Sequence, residues 1–158
     1  MLPFKNILCG TDFSTASHSA LAAANELAAH FSADLWVLHV VLPIPVPAAG
    51  GSPLAPTPGI DVPLYEKELL ESSKKSLEEL IKEHISRELT VVHPRVVLGR
   101  PATEIVAVAQ EENVDLIVVA THGRTGLQRL VLGSVAERVA RSASNCPVLI
   151  VTPPEETR

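Results

Sequence analysis

Aromatic residues make up only 3% of this 158-residue chain, so its core cannot be assembled around large rings. Val, Ile, Leu and Ala must supply it, and a total hydrophobic content of 46% suits buried parallel strands under alanine-rich helices. Cysteine is nearly absent: Cys9 and Cys146 stand alone, one in each terminal strand candidate, with no Cys-x-x-Cys pair. That excludes a disulfide framework, and both read as buried small hydrophobes. No apolar run reaches membrane-spanning length and the opening residues do not read as a signal peptide, so a cytoplasmic location is expected. A formal charge of −5 with so few aromatics argues against a general nucleic-acid binder. The familiar nucleotide loops are missing too. There is no Gly-x-x-x-x-Gly-Lys-Ser/Thr and no Gly-x-Gly pair, nor a Gly-x-Ser-x-Gly elbow for a hydrolase nucleophile. His18, His30, His39, His84, His93 and His122 are scattered without Cys or carboxylate at ligand spacing, which excludes a dedicated metal site.

What is present is a regular alternation in a chain of single-domain length. Lys5 to Gly10 reads as a short strand. The next helix is capped by Ser14 or Thr15, and Ala20, Leu21, Ala24, Leu27, Ala28 and Phe31 recur on one face. Asp34 to Leu42 is apolar throughout and predicts a strand without a wet face, in which His39 reads as a satisfied core histidine. A Pro- and Gly-rich insert from Pro43 to Pro63 excludes regular helix or central strand, and reads as a mobile flap or an interaction loop. Leu64 to Glu88 has the pattern of a long amphipathic helix carrying Leu70, Leu77, Leu80, Ile81 and Ile85. Leu89 to Leu98 is a third strand, interrupted by Pro94. Pro101 opens a helix with Glu104 near its positive end and Ile105, Val108 and Ala109 facing inward. Asp115 to Ala120, a helix over 134–144 and a strand over 146–152 complete the order. This βα alternation calls for a parallel sheet with helices on both faces, and for ligands at the carboxyl ends of the strands where the strand order reverses.

One of those ends is distinctive. After Ala120 comes a loop with Gly123, Gly126, Arg124 and Arg129, and Gly133-Ser134 then opens the last helix, with no Asp or Glu from Thr121 to Ala136. A helix start offers unpaired N–H groups and partial positive charge, and glycines let a phosphate approach the main chain. The same residues also support a plainer reading. Ser134 to Glu137 has the pattern of a capping box, and Gly126 and Gly133 can serve as turn residues. Asp12 is open in the same way, either as an acceptor for a ribose hydroxyl or as the cap of the first helix. His122, inside the loop, is within reach of a phosphate. A phosphorylated receiver domain shares the alternation but needs an acid after the third strand, where this chain has Gly99-Arg100.

Ile-Leu-Cys-Gly-Thr-Asp-Phe-Ser near the start, Leu-His-Val in the second strand, Gly-Arg-Pro-Ala-Thr-Glu-Ile, Ala-Thr-His-Gly-Arg-Thr-Gly followed by Leu-Gly-Ser-Val-Ala-Glu-Arg-Val, and the closing Cys-Pro-Val-Leu-Ile-Val together resemble a universal stress protein, over nearly the whole chain apart from the insert. The nucleotide-binding branch of that family has a Gly-x-x-Gly-x9-Gly-Ser/Thr motif. Gly123 and Gly133-Ser134 match its later elements, while Ala120, one methyl group larger, stands at the first. The resemblance implies one domain over residues 1–158, a five-stranded sheet of order 3-2-1-4-5, and an adenine nucleotide, ATP or a relative, bound with Mg2+. Carried over by position, Thr11 and Asp12 meet the ribose or adenine side, Val40 holds the base, and Gly123, Arg124, Gly133, Ser134 and Val135 surround the phosphates. Gly10, Val119, Ala120 and His122 belong to the same site. Two function classes follow: an ATP-binding regulatory module of the stress response, or a dimeric interaction protein of the same fold that binds no nucleotide. A homodimer is expected through the apolar edge strand Val148 to Val151, since an edge left open is an aggregation template. The loop offers His122 as its only acid–base group, so ATP turnover, if any, is expected to be slow.

Overall fold

Strands that are apolar on both sides must be covered on both faces, and a computed structural model describing residues 2–45, 61–85, 91–121 and 133–153 has them so. Asn6–Thr11 (β1), Asp34–Val41 (β2), Val92–Leu98 (β3), Leu116–Ala120 (β4) and Val148–Val151 (β5) form one parallel sheet in the expected order β3-β2-β1-β4-β5. Four helices, Thr15–Phe31 (α1), Val62–His84 (α2), Pro101–Glu111 (α3) and Ser134–Ser142 (α4), supply the crossovers among the described residues.

The pleat divides the strand residues between two cores. Ile7, Cys9, Leu35, Val37, Leu116 and Val118 point to the face covered by α1 and α2, where they meet Ala20, Leu21, Ala24, Leu77 and Ile81. Leu8, Leu38, Ile117 and Val119 point the other way, against Ile105, Val108 and Ala109 of α3 and Ala136 and Val139 of α4. The alanine stripe on α1 lets that helix lie close to the sheet, and replacing a fully buried leucine such as Leu21 or Leu77 by alanine would cost about 3 kcal/mol.

Several boundaries differ from expectation. Asp61 caps α2 by accepting from Leu64 N at 3.1 Å, so Val62 and Pro63 belong to the helix and not to the insert. Ile85 turns extended (φ −122°, ψ 126°) and ends the helix before Glu88; residues 86–90 lie outside the described ones, as do 46–60 of the insert. Pro94 does not interrupt β3 but sits within it, opposite Val37. β3 is an edge strand, where a missing N–H is tolerated. The last helix stops at Ser142 and the last strand starts at Val148, so Cys146 lies ahead of β5. It is only half-buried, with its thiol directed to the Val114 carbonyl at 3.3 Å. No helix among the described residues is long and apolar enough to cross a membrane.

Candidate functional site

The chain leaves β1 towards β2 and β3 on one side, and later crosses back to place β4 on the other side of β1. The carboxyl ends of β1 and β4 therefore flank the order reversal at which α/β sheets bind ligands.

The connection after β1 is tightly built. Ser14 caps α1: its hydroxyl accepts from Ser17 N at 3.2 Å and donates to Asp12 Oδ1 at 2.5 Å, and the same carboxylate oxygen accepts from Ser14 N at 3.0 Å. Asp12 is thus not the helix cap. It closes an Asx turn ahead of the cap and holds the capping hydroxyl in place. Thr11 is buried, and its Oγ1 accepts from Phe13 N at 3.1 Å and donates to Ser17 Oγ at 3.0 Å, since Ser17 Oγ gives its own proton to the Ser14 carbonyl. Between them Phe13 takes a left-handed backbone, φ 63°, which for a bulky residue costs about 1–2 kcal/mol. Its ring lies against that of His39, centroids 4.3 Å apart. His39 is the register partner of Thr11 on β2 and bonds the Thr11 carbonyl through Nδ1 at 2.9 Å, the satisfied core histidine expected.

The connection after β4 returns to its start. Gly133 N donates to the Thr121 carbonyl at 2.7 Å, so α4 begins beside the end of β4. The capping box, the plainer of the two readings of Ser134 to Glu137, does not form: Gly133 is the N-cap, Ser134 is already helical, and no side chain of the cap residue closes the helix. Glu137 instead pairs with Arg141 one turn on, at 2.9 Å. The Gly133 backbone (φ −58°, ψ 146°) is one any residue adopts, so the glycine is not required by its dihedral angles. Glycine itself brings no side chain over the N–H groups of the first turn.

Of the other expected site residues, Gly10 lies at the end of β1, where an added Cβ would stand 3.1 Å from Ile105 Cδ1. Val40 is half-buried near the end of β2 and packs on the α3/α4 side. Val119 is buried in that core, so its side chain is packing. Ala120 packs towards the opposite core, the one under α1 and α2. Val135 is partly exposed on the first turn of α4. Gly10, Thr11, Asp12, Val40, Ala120 and Gly133 to Val135 thus share the carboxyl edge of the sheet. His122, Gly123 and Arg124, with Gly126 and Arg129, lie outside the described residues. Ser17, Phe13 and His39 form a support that spacing did not reveal, because a left-handed aromatic residue has no sequence signature.

Among the described residues no group of three or more His, Cys, Asp or Glu is arranged to hold a metal ion. Burial pushes the Cys9 thiol up to about 12, and burial also raises that of Cys146; neither is a nucleophile at neutral pH.

Comparison with known proteins agrees with this architecture. The model of the universal stress protein family matches residues 3–152. Universal stress protein MJ0531 of Methanocaldococcus jannaschii is 35% identical over 156 residues, covering 97% of this chain and 85% of that protein. The solved structure of MJ0577, from the same organism, superposes with a TM-score of 0.75 at 30% identity, over 96% of this chain and 98% of that one. A universal stress protein solved in complex with cAMP gives a TM-score of 0.64 at 26% identity, over 94% and 97% of the two chains. With the family's sheet order, its end-of-strand motifs and relatives a third identical along almost the full length, the chain belongs to the universal stress protein family.

Proposed function

We propose that this protein binds an adenine nucleotide, ATP or a close relative, and acts as a regulatory or interaction module in the stress response. The observation that carries the reading is the start of α4 at Gly133 to Val135, where the cap residue closes no side-chain bond, beside the end of β4 and across the order reversal from the Asp12 turn. Phosphates would take the first N–H groups of α4, with His122, Gly123 and Arg124 of the preceding loop and the Ala120 backbone around them. Asp12 would accept from a ribose hydroxyl, with Gly10 and Thr11 fixing its turn, and Val40 would contact the base beside Val119. The relative solved with cAMP supports an adenine ligand. Mg2+ fits as an ion that arrives on the phosphates, keeping its water, since it needs few protein ligands in such sites.

The protein is then a binder and not a metabolic enzyme. No carboxylate lies between Thr121 and Ala136 to activate water, and Asp12 is held by Ser14 on the sugar side. ATP turnover should fall far below the roughly 10 per second typical of enzymes. Dimerisation through β5 belongs to the same reading, because β5 is a sheet edge that exposes Leu149.

Titration calorimetry with ATP on wild type and Gly133→Val tests the assignment. The Gly133 backbone accepts valine, so the fold should survive while the branched side chain covers the phosphate position and affinity falls at least tenfold. Unchanged affinity in folded Gly133→Val would remove the site from this loop. Absence of binding in the wild type, with no nucleotide released on denaturation, would favour the nucleotide-free interaction protein.

A further inference from the structure

We propose that His39 is a positioning residue for the sugar-binding carboxylate, holding the β1–α1 turn in the conformation that presents Asp12 and so setting the preference for ribose over deoxyribose. The inference rests on the reading of Asp12 as the acceptor of a ribose hydroxyl.

The imidazole stands in an otherwise apolar stretch of β2, Leu35 to Val41. His39 is 9% exposed, its strand neighbours Leu38 and Val41 are core residues, and a buried polar ring is unfavourable unless its nitrogens are bonded. Its Nδ1 makes a hydrogen bond that an aliphatic residue cannot make, and its ring makes a second contact. A carbonyl oxygen only accepts, so Nδ1 carries the proton and donates to Thr11 O, which fixes the tautomer from the hydrogen-bond network. The bond comes where β1 has lost one neighbour: its pairing with β4 stops at Cys9, while its pairing with β2 reaches Thr11 opposite His39. A side chain of β2 thus holds the last residue of β1 in the stretch where β4 no longer does.

The second contact is the ring of Phe13 against that of His39, which offsets a backbone conformation that aromatic residues avoid. Asp12 lies between these two anchors. Behind it Thr11 is held by its carbonyl on His39 and its hydroxyl on Ser17 and Phe13; ahead of it Ser14 is held by the helix cap. With both neighbours fixed and Oδ1 bound to Ser14, the carboxylate keeps one orientation. A site built to bond a hydroxyl discriminates strongly against the analogue lacking it only while the acceptor is held in place, and a shift of about 1 Å is enough to lose much of that advantage.

Calorimetric titration of the full chain with ATP and with 2′,3′-dideoxy-ATP, on wild type, His39→Leu, His39→Asn, His39→Gln, Asp12→Ala and the Asp12→Ala, His39→Leu pair, tests this. The wild type should prefer ATP by about tenfold, the value of one charge-assisted hydrogen bond at the low end of its range. His39→Leu should lower ATP affinity by about that factor and leave dideoxy-ATP affinity unchanged. Asparagine sets an amide N–H where Nδ1–H stands, though without the ring, and should restore part of the preference, whereas glutamine sets it further out and should restore none, so the Asn and Gln pair decides the matter even if the leucine variant fails to fold. In the Asp12→Ala background His39→Leu should have no further effect. Equal weakening of both ligands in His39→Leu, or a preference retained by both Leu and Gln variants, would overturn the positioning role while leaving nucleotide binding intact. A wild type that binds neither ligand overturns the nucleotide reading itself, and this role with it.

Discussion

Replacing Ser14 by alanine removes two hydrogen bonds that meet on one oxygen. The hydroxyl accepts from Ser17 N at 3.2 Å as the N-cap of α1 and donates to Asp12 Oδ1 at 2.5 Å. Loss of an N-cap acceptor costs about 1 kcal/mol, and a hydrogen bond to a charged group contributes about 1.5 kcal/mol. Ser14 and Asp12 are half-buried, so water replaces part of the second bond, and a total near ~2 kcal/mol is expected. For a chain of this size that lowers Tm by about 4–8 °C. Urea denaturation followed by helical circular dichroism measures it, with the exposed neighbour Thr15→Ala as a control that should stay within about 0.5 kcal/mol. A double-mutant cycle with Asp12→Ala should give a coupling of about 1 kcal/mol, because each single change removes the same bond. A loss under about 0.5 kcal/mol in Ser14→Ala, or strict additivity with Asp12→Ala, would refute the claim that Asp12 works through the cap and not as the cap.

Burial holds the Cys9 thiol at about 12, whereas in the unfolded chain it ionises near 8.5; the unfolded state therefore binds fewer protons between these values. Relative to Cys9→Ala, stability should be flat below pH ~8.5 and then fall by about 1.4 kcal/mol per pH unit towards pH ~12, and parallel wild-type and variant curves from urea melts across that range would contradict the burial. Gly10→Val drives a branched side chain into Ile105, already 3.1 Å from the position of an added Cβ, and should destabilise by about 1–3 kcal/mol, with partial rescue by Ile105→Val in thermal melts. Leu149→Lys places a charge on the exposed side of the edge strand β5 and should shift sedimentation from dimer to monomer with little change in protomer fold. Lysines at Val148 and Ile150 would instead strike the core beneath α4, so a dimer that survives Leu149→Lys assigns the interface elsewhere.

The parallel sheet covered on both faces and the helix faces were legible because they rest on signals that a sequence carries directly, whereas the strand order came from the resemblance to the family. Unbroken apolar strands require two cores, and the three- and four-residue steps of Ala20, Leu21, Ala24 and Ala28 leave one face to bury. Pro94 misled because proline reports a missing N–H and not its place in the sheet; at the edge that donor is dispensable. Ser134 left two readings open. Its spacing to Glu137 fits a capping box, but the chain enters α4 one residue earlier, at Gly133, once the Gly133 N–H is bound to Thr121. In the β1 turn the sequence named Asp12 and Ser14 but left open which of them capped α1. The answer depends on a left-handed Phe13 and a histidine one strand away, and both are tertiary facts.

Ala120 shows how such facts bear on a motif. Where the nucleotide-binding branch of the family is expected to carry glycine, a methyl group looks like an obstacle to phosphate. Side chains on β4 alternate, however, and α4 covers the face to which Ile117 and Val119 point. Ala120 points to the other face, packed towards the core under α1 and α2 together with Val151, its partner on β5. The methyl group is therefore taken up by packing on the side away from α4, and the first turn at Gly133 is not narrowed by it. The two glycine positions are unequal for this reason. At Gly133 a side chain would stand over the N–H groups that the proposed nucleotide site uses, whereas at Ala120 it adds apolar contact to a core.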